Sequence, residues 1–109
     1  MAYLYKVLAQ SAPSATTNTD IYTVGSGKQA IVSTITIANR DSSAATYRIA
    51  IRPSGATIAN QHYIAYNVLL SANDTTALTL GITLGATDVV TVYAATATLS
   101  FNAYGAETA

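Results

Sequence analysis

At 109 residues the chain is long enough for one hydrophobic core and too short for two. Half of it is hydrophobic, 9% is charged, and five Lys/Arg balance five Asp/Glu to a formal net charge of zero, where ordinary soluble domains carry about 25% charge. There is no cysteine for a disulfide, thiolate metal site or nucleophile, no basic stripe to track a phosphate backbone, and no run of about 18 apolar residues to form a membrane helix, so no nucleic-acid or membrane partner is expected.

In chain order, strand signals dominate: Val, Ile, Thr and Tyr recur in short runs bounded by Gly, Pro, Asn, Asp or Ser. Residues 3–10 read as a first strand; Tyr3, Tyr5 and Lys6 interrupt any apolar signal-peptide core. The loop "SAPSATTNTD" follows, and residues 1–19 together suit a strand-like arm with a flexible connector. A short strand at 20–24 ends in "GSGK", which lacks the flanking residues of a phosphate loop, with Tyr22 and Gln29 at the decisive positions, and reads as a hairpin turn.

"QAIVSTITIAN" alternates with a period of two and predicts Ile31, Ser33, Ile35 and Ile37 on the core face. "TYRIAIR" pairs a dry face of Tyr47, Ile49 and Ile51 with a wet one carrying Arg48 and Arg52. In "QHYIAYNVLL" the alternation predicts Tyr66 inward with Ile64 and Val68, and Tyr63 outward with Asn67. "TTALTLGITL" places Leu78, Leu80, Ile82 and Leu84 on one face; "VVTVYAA" and "TATLSFNAYG" complete eight strands, and "GAETA" reads as a frayed or reaching tail. Helical periodicity is missing. The expectation is a single antiparallel β-sandwich spanning 1–109, jelly-roll or immunoglobulin-like, with a closed barrel as runner-up.

Little in this text carries chemistry. His62 is the only histidine, and Asp20, Asp41, Asp74 and Asp88 all stand at turn positions, where a carboxylate ordinarily bonds its own backbone. No catalytic, cofactor or metal site is expected, and the chain does not read as an enzyme. Eight Tyr against one Phe and no Trp favour interface positions, where a ring is buried and its hydroxyl meets water or a partner. The interface candidates are Tyr3 and Tyr5 on the arm, Arg48 and Arg52 facing a neighbour's carboxylate, His62 at a rim, and Tyr63.

The runs "YKVLAQSAPSATT", "AIVSTITIANR", "NQHYIAYNV" and "LTLGITLGATDVVTVYA" resemble a small virion structural protein of tailed bacteriophages, of the cyanophage type. The resemblance covers the whole chain. It implies a non-enzymatic β-sandwich made in the bacterial host cytoplasm and displayed in many copies on the particle surface. Its implied partners are copies of itself and other virion proteins, such as the major capsid protein or neck and tail proteins. A capsid decoration (cement) role comes first, a neck, tail-fibre or baseplate role second, and a carbohydrate-binding adhesion module third.

Overall fold

The structure is a computed structural model and describes residues 2–109. Eight strands form where the β-branched and aromatic runs lie: β1 (Tyr3–Ser11), β2 (Thr19–Thr23), β3 (Ala30–Asn39), β4 (Ala45–Arg52), β5 (Tyr63–Leu70), β6 (Thr75–Leu84), β7 (Val89–Ala94) and β8 (Leu99–Thr108). Between β4 and β5 two single-turn 3-10 segments, Pro53–Gly55 and Asn60–His62, carry the chain around a corner.

The pairing is that of one long ribbon. β4 pairs with β5, β3 with β6, β2 with β7 and β1 with β8, all antiparallel, so the β4–β5 connection is the tip of a hairpin that includes every strand. Rolling that hairpin up brings β8 against β3 and β7 against β4. The result is two four-stranded sheets, A in the order β1-β8-β3-β6 and B in the order β2-β7-β4-β5. This is the jelly-roll order. The expected all-β sandwich of about eight strands is found, and the strand order sets aside the immunoglobulin-like alternative.

Three local expectations change. Strand β1 is no free arm, since Tyr3 to Ser11 lie along β8 of their own sheet. Residues 105–108 are no tail: they belong to β8, with Thr108 almost fully buried and paired opposite Tyr3. The "GSGK" turn closes through a Lys28 N–H bond to the Gly25 carbonyl, but it carries the chain from sheet B to sheet A and joins no hairpin. Where chain ends meet, Ala109 donates its N–H to the Ala2 carbonyl at 2.9 Å.

The core is the space between the sheets. Ile35, Ile37, Leu99 and Phe101 from sheet A are fully buried against Ile49, Val90 and Val92 from sheet B. Phe101 meets Tyr47 edge to face across the gap, with ring centroids 6.3 Å apart. Burying a ring of this size contributes roughly 1.5–3 kcal/mol. At one end a single buried amide ties the loops together: Asn39 Nδ2 donates to the carbonyls of Ser43, Leu70 and Ser71, and its Oδ1 accepts from the Asp41 N–H and the Thr98 hydroxyl. That side chain joins the β3–β4, β5–β6 and β7–β8 connections.

Sheet A is creased. Along one line across the sheet, β1 carries an extra residue at Leu8, β3 one at Ser33, and β6 two at Leu80 and Gly81, while β8 runs straight through Tyr104 and Gly105. Each inserted residue reverses or resets the alternation of its strand. In β3 the buried positions are therefore Ala30 and Val32 before the bulge and Ile35, Ile37 and Asn39 after it. Ile31 and Ser33, expected in the core, face outward. Leu80, expected beside Leu78 and Ile82, is 57% exposed for the same reason. Gly81 supplies the left-handed backbone that the β6 bulge requires, and Gly105 leaves room for the displaced β3 backbone, since a Cβ there would run into the Ile31 carbonyl.

Candidate functional site

With the faces fixed by register, the outward residues sort into two surfaces. On sheet A, opposite residues share a face, so Tyr5, Ala106, Ile31 and Thr83 form one outward row and Val7, Tyr104, Thr34 and Thr79 the next. Between these rows lies an open groove of about 570 Å³ lined by Tyr5, Val7, Ile31 and Tyr104, with Lys6 and Ser33 also on its surface. Its lining is largely apolar, and Tyr5, 88% exposed, stands at its lip. Tyr3 sits further along the same face and donates to Gln29 Oε1 at 3.4 Å.

The outer face of sheet B is different in chemistry. Arg48 projects from β4 with its guanidinium carbon 4.3 Å from the ring centroids of both Tyr66 and Tyr93, and its Nε donates to Asn67 Oδ1 at 2.7 Å. Two rings and an amide thus hold one cation in place. Arg52, two turns of the pleat away, donates to Asp20 Oδ1 at 2.9 Å, to the Thr91 hydroxyl, and to the carbonyls of Gly55 and Ala56. The sequence left both arginines either to pair with a neighbour's carboxylate or to form a solvated face; in the structure both also make bonds within their own chain.

The tyrosines of β5 overturn the expected phase as well. Tyr66 faces outward and is 54% exposed, while Ala65 is the residue that enters the core. The reason is a bulge: Tyr66 and Asn67 together oppose Arg48 on β4, and Asn67 takes a left-handed φ of 51°. Tyr63 and Tyr66, predicted on opposite faces, pack against each other with centroids 4.8 Å apart at 81°. His62 lies in the turn before them. Its Nδ1 accepts the Ala59 N–H, a local bond that closes the 3-10 segment.

Of the carboxylates, Asp41, Asp74 and Asp88 make the expected backbone bonds in their turns, and Asp88 also accepts the N–H of the distant Ser54. Asp20 departs from that pattern by holding Arg52 and Thr91. Glu107 joins the two sheets: Lys6 lies 2.6 Å from one of its oxygens and the Tyr22 hydroxyl of β2 donates to the other. Those bonds hold its carboxyl below the usual glutamate range. Burial, and then the same bond and charge, push the Tyr22 phenol far above its ordinary value. Among the described residues no group of three or more His, Cys, Asp or Glu could hold a metal ion, and no helix is long and apolar enough to cross a membrane.

The strand edges complete the surface. Sheet A ends in β1 and β6, and sheet B in β2 and β5. Neither β5 nor β6 contains a charged residue or proline, and the charges of the other two, Lys6 and Asp20, are both in ion pairs within the chain. Edge strands of soluble sheets are ordinarily guarded by such residues. Along the β5–β6 flank, Ile64, Val68, Leu69 and Leu80 are exposed.

Sequence reasoning had singled out Tyr3, Tyr5, Arg48, Arg52, His62 and Tyr63. It missed Ile31, Tyr66, Leu80, Tyr93 and Tyr104, which alternation assigned elsewhere or left without a role. Gly81 and Gly105, isolated inside apparent strands, were the available signals of the sheet A crease. Comparison with known proteins finds no matching family model, no matching curated protein and no matching solved structure.

Proposed function

We propose that the chain is a non-enzymatic structural protein of a tailed-phage virion, a capsid decoration (cement) protein displayed in many copies and stabilising the particle through its subunit interfaces. The observation that carries this reading is a periphery short of free charge: the Tyr5–Val7–Ile31–Tyr104 groove on sheet A, whose one cation, Lys6, is paired with Glu107, together with the unguarded edges β5 and β6. Such a surface is costly to leave in water and gains by being covered, and net charge near zero opposes dispersal. Jelly rolls recur in viral capsids, which agrees with the resemblance in the sequence.

In this role each copy would bury tyrosine and aliphatic side chains across a join between capsid subunits. Many weak contacts, held together by the lattice, add up to a stable particle. Tyr5→Ser tests the claim because the ring is exposed and its loss changes stability by no more than about 0.5 kcal/mol. The expected outcome is normal folding with reduced occupancy on particles, measured by quantitative gel analysis of purified virions. Imaging of particles labelled on this protein should show the label over the head. Label confined to the neck, tail fibres or baseplate would replace the decoration reading with the tail reading.

A further inference from the structure

We infer that the corner formed by Asn60, Tyr63 and Tyr66 on the outer face of sheet B is a binding site for a neutral saccharide, engaging a hexopyranose unit. An open depression lies there, lined by these three residues. The two rings stand nearly perpendicular and form the corner itself.

The corner is built and held, which distinguishes it from an incidental cluster. Tyr66 points out of the sandwich because Asn67, a residue with a Cβ, accepts a left-handed φ in the middle of a strand. The same Asn67 fixes Arg48, and Arg48 in turn covers Tyr66 and Tyr93. A ring that the protein both turns outward and immobilises is pre-organised to stack against a ligand.

Chemistry selects the ligand class. The Asn60 amide and the hydroxyls of Tyr63 and Tyr66 make no side-chain hydrogen bond among the described residues, so an amide donor, an amide acceptor and two hydroxyls surround the aromatic corner. A pyranose offers the complement, an apolar C–H face for a ring and hydroxyls around its rim for the amide. Neutrality follows because Arg48, the nearest cation, is already occupied by two rings and Asn67. A corner three residues wide suits one sugar unit better than a protein, whose standard interface needs about 800 Å² per partner. The sheet A groove has no comparable amide at its centre and serves as the internal control.

Saturation-transfer NMR on the full chain with the methyl glycosides of glucose, galactose, mannose and N-acetylglucosamine tests the assignment. Transfer to the ring C–H protons of at least one glycoside is expected. Tyr66→Ala and Asn60→Ala should each weaken binding by about tenfold, the effect of about 1.4 kcal/mol, while Tyr5→Ala leaves it unchanged. Because the Asn60 side chain makes no internal bond, its variant should keep the wild-type thermal midpoint, so lost binding there does not report lost folding. No transfer to any of the four glycosides, or transfer that survives in both variants, overturns the inference. So does protection of Tyr66 from nitration by a neighbouring protein in assembled particles, in the absence of any transfer.

Discussion

The two outer faces of the sandwich handle scarce charge in opposite ways. On sheet B, Arg48 and Arg52 are bonded to Asn67, Asp20, Thr91 and two carbonyls, and the aromatic rings are arranged around them. On sheet A the outward rows are apolar, hydroxylic or neutral amide, linked by uncharged pairs such as Gln10 with Asn102 and Thr34 with Thr79. Charge in this chain is used to organise its own loops and edges, and what remains for the outside is aromatic, aliphatic and hydroxyl surface. A small domain with few charges can thus have one face that is rigid and polar and another that is open to association.

The largest effect expected from breaking the contrast lies in sheet A. Gly105→Ala would drive a methyl into the β3 backbone at Ile31, where no side chain can move aside. A loss of more than about 3 kcal/mol, or failure to fold, is expected in urea denaturation. A fall of less than about 1 kcal/mol would mean that the crease is free to shift and is not set by β8.

A smaller loss should follow on sheet B. Arg52→Met keeps the stem and removes the bonds to Asp20, Thr91, Gly55 and Ala56, for an expected cost of about 2 kcal/mol by denaturant titration. Added salt should narrow the gap only in part, because it screens the Arg52–Asp20 pair and leaves the bonds to Thr91, Gly55 and Ala56. Stability unchanged in Arg52→Met would show that this face is not knit together as described.

The smallest effect is the pH dependence of the tie between the sheets. Lys6, then Tyr22, hold the Glu107 carboxyl below the usual range, with Lys28 adding a weaker attraction. A depressed folded-state value means that the contribution is complete above the ordinary glutamate range and is lost as pH falls through the lower folded value. Glu107→Gln should therefore be less stable than wild type at neutral pH by under about 1 kcal/mol, given that Lys6 is half exposed. The two denaturation curves should converge as pH falls below the ordinary glutamate range and through the lower folded value. A gap that stays constant across this range would assign the difference to packing.

The fold class was legible because strand periods and turn residues repeat along the whole chain. Ile35 and Ile37 were placed correctly, for they lie in a stretch of β3 without inserted residues. Alternation failed at Ile31, Tyr66 and Leu80, each beside a bulge, because a period of two has no memory of one extra residue. The candidate surface suffered most from that failure. An inserted residue exchanges core for outside, so the side chains that sequence phase hides are the ones that the bulges display. Asn39 was unreadable for another reason: its bonding partners lie on three separate connections, and only the rolled ribbon brings them together.

The bond between Ala109 and Ala2 has one more implication. Because the first and last rungs of the ribbon are the same rung, whatever is fused to either end leaves the molecule at one point on its rim. A short peptide joining residues 2 and 109 would make the backbone a covalent ring, and that ring could be cut at the Ser71–Asp74 turn with every strand keeping its neighbours. The order of strands in space is therefore independent of where the chain is opened.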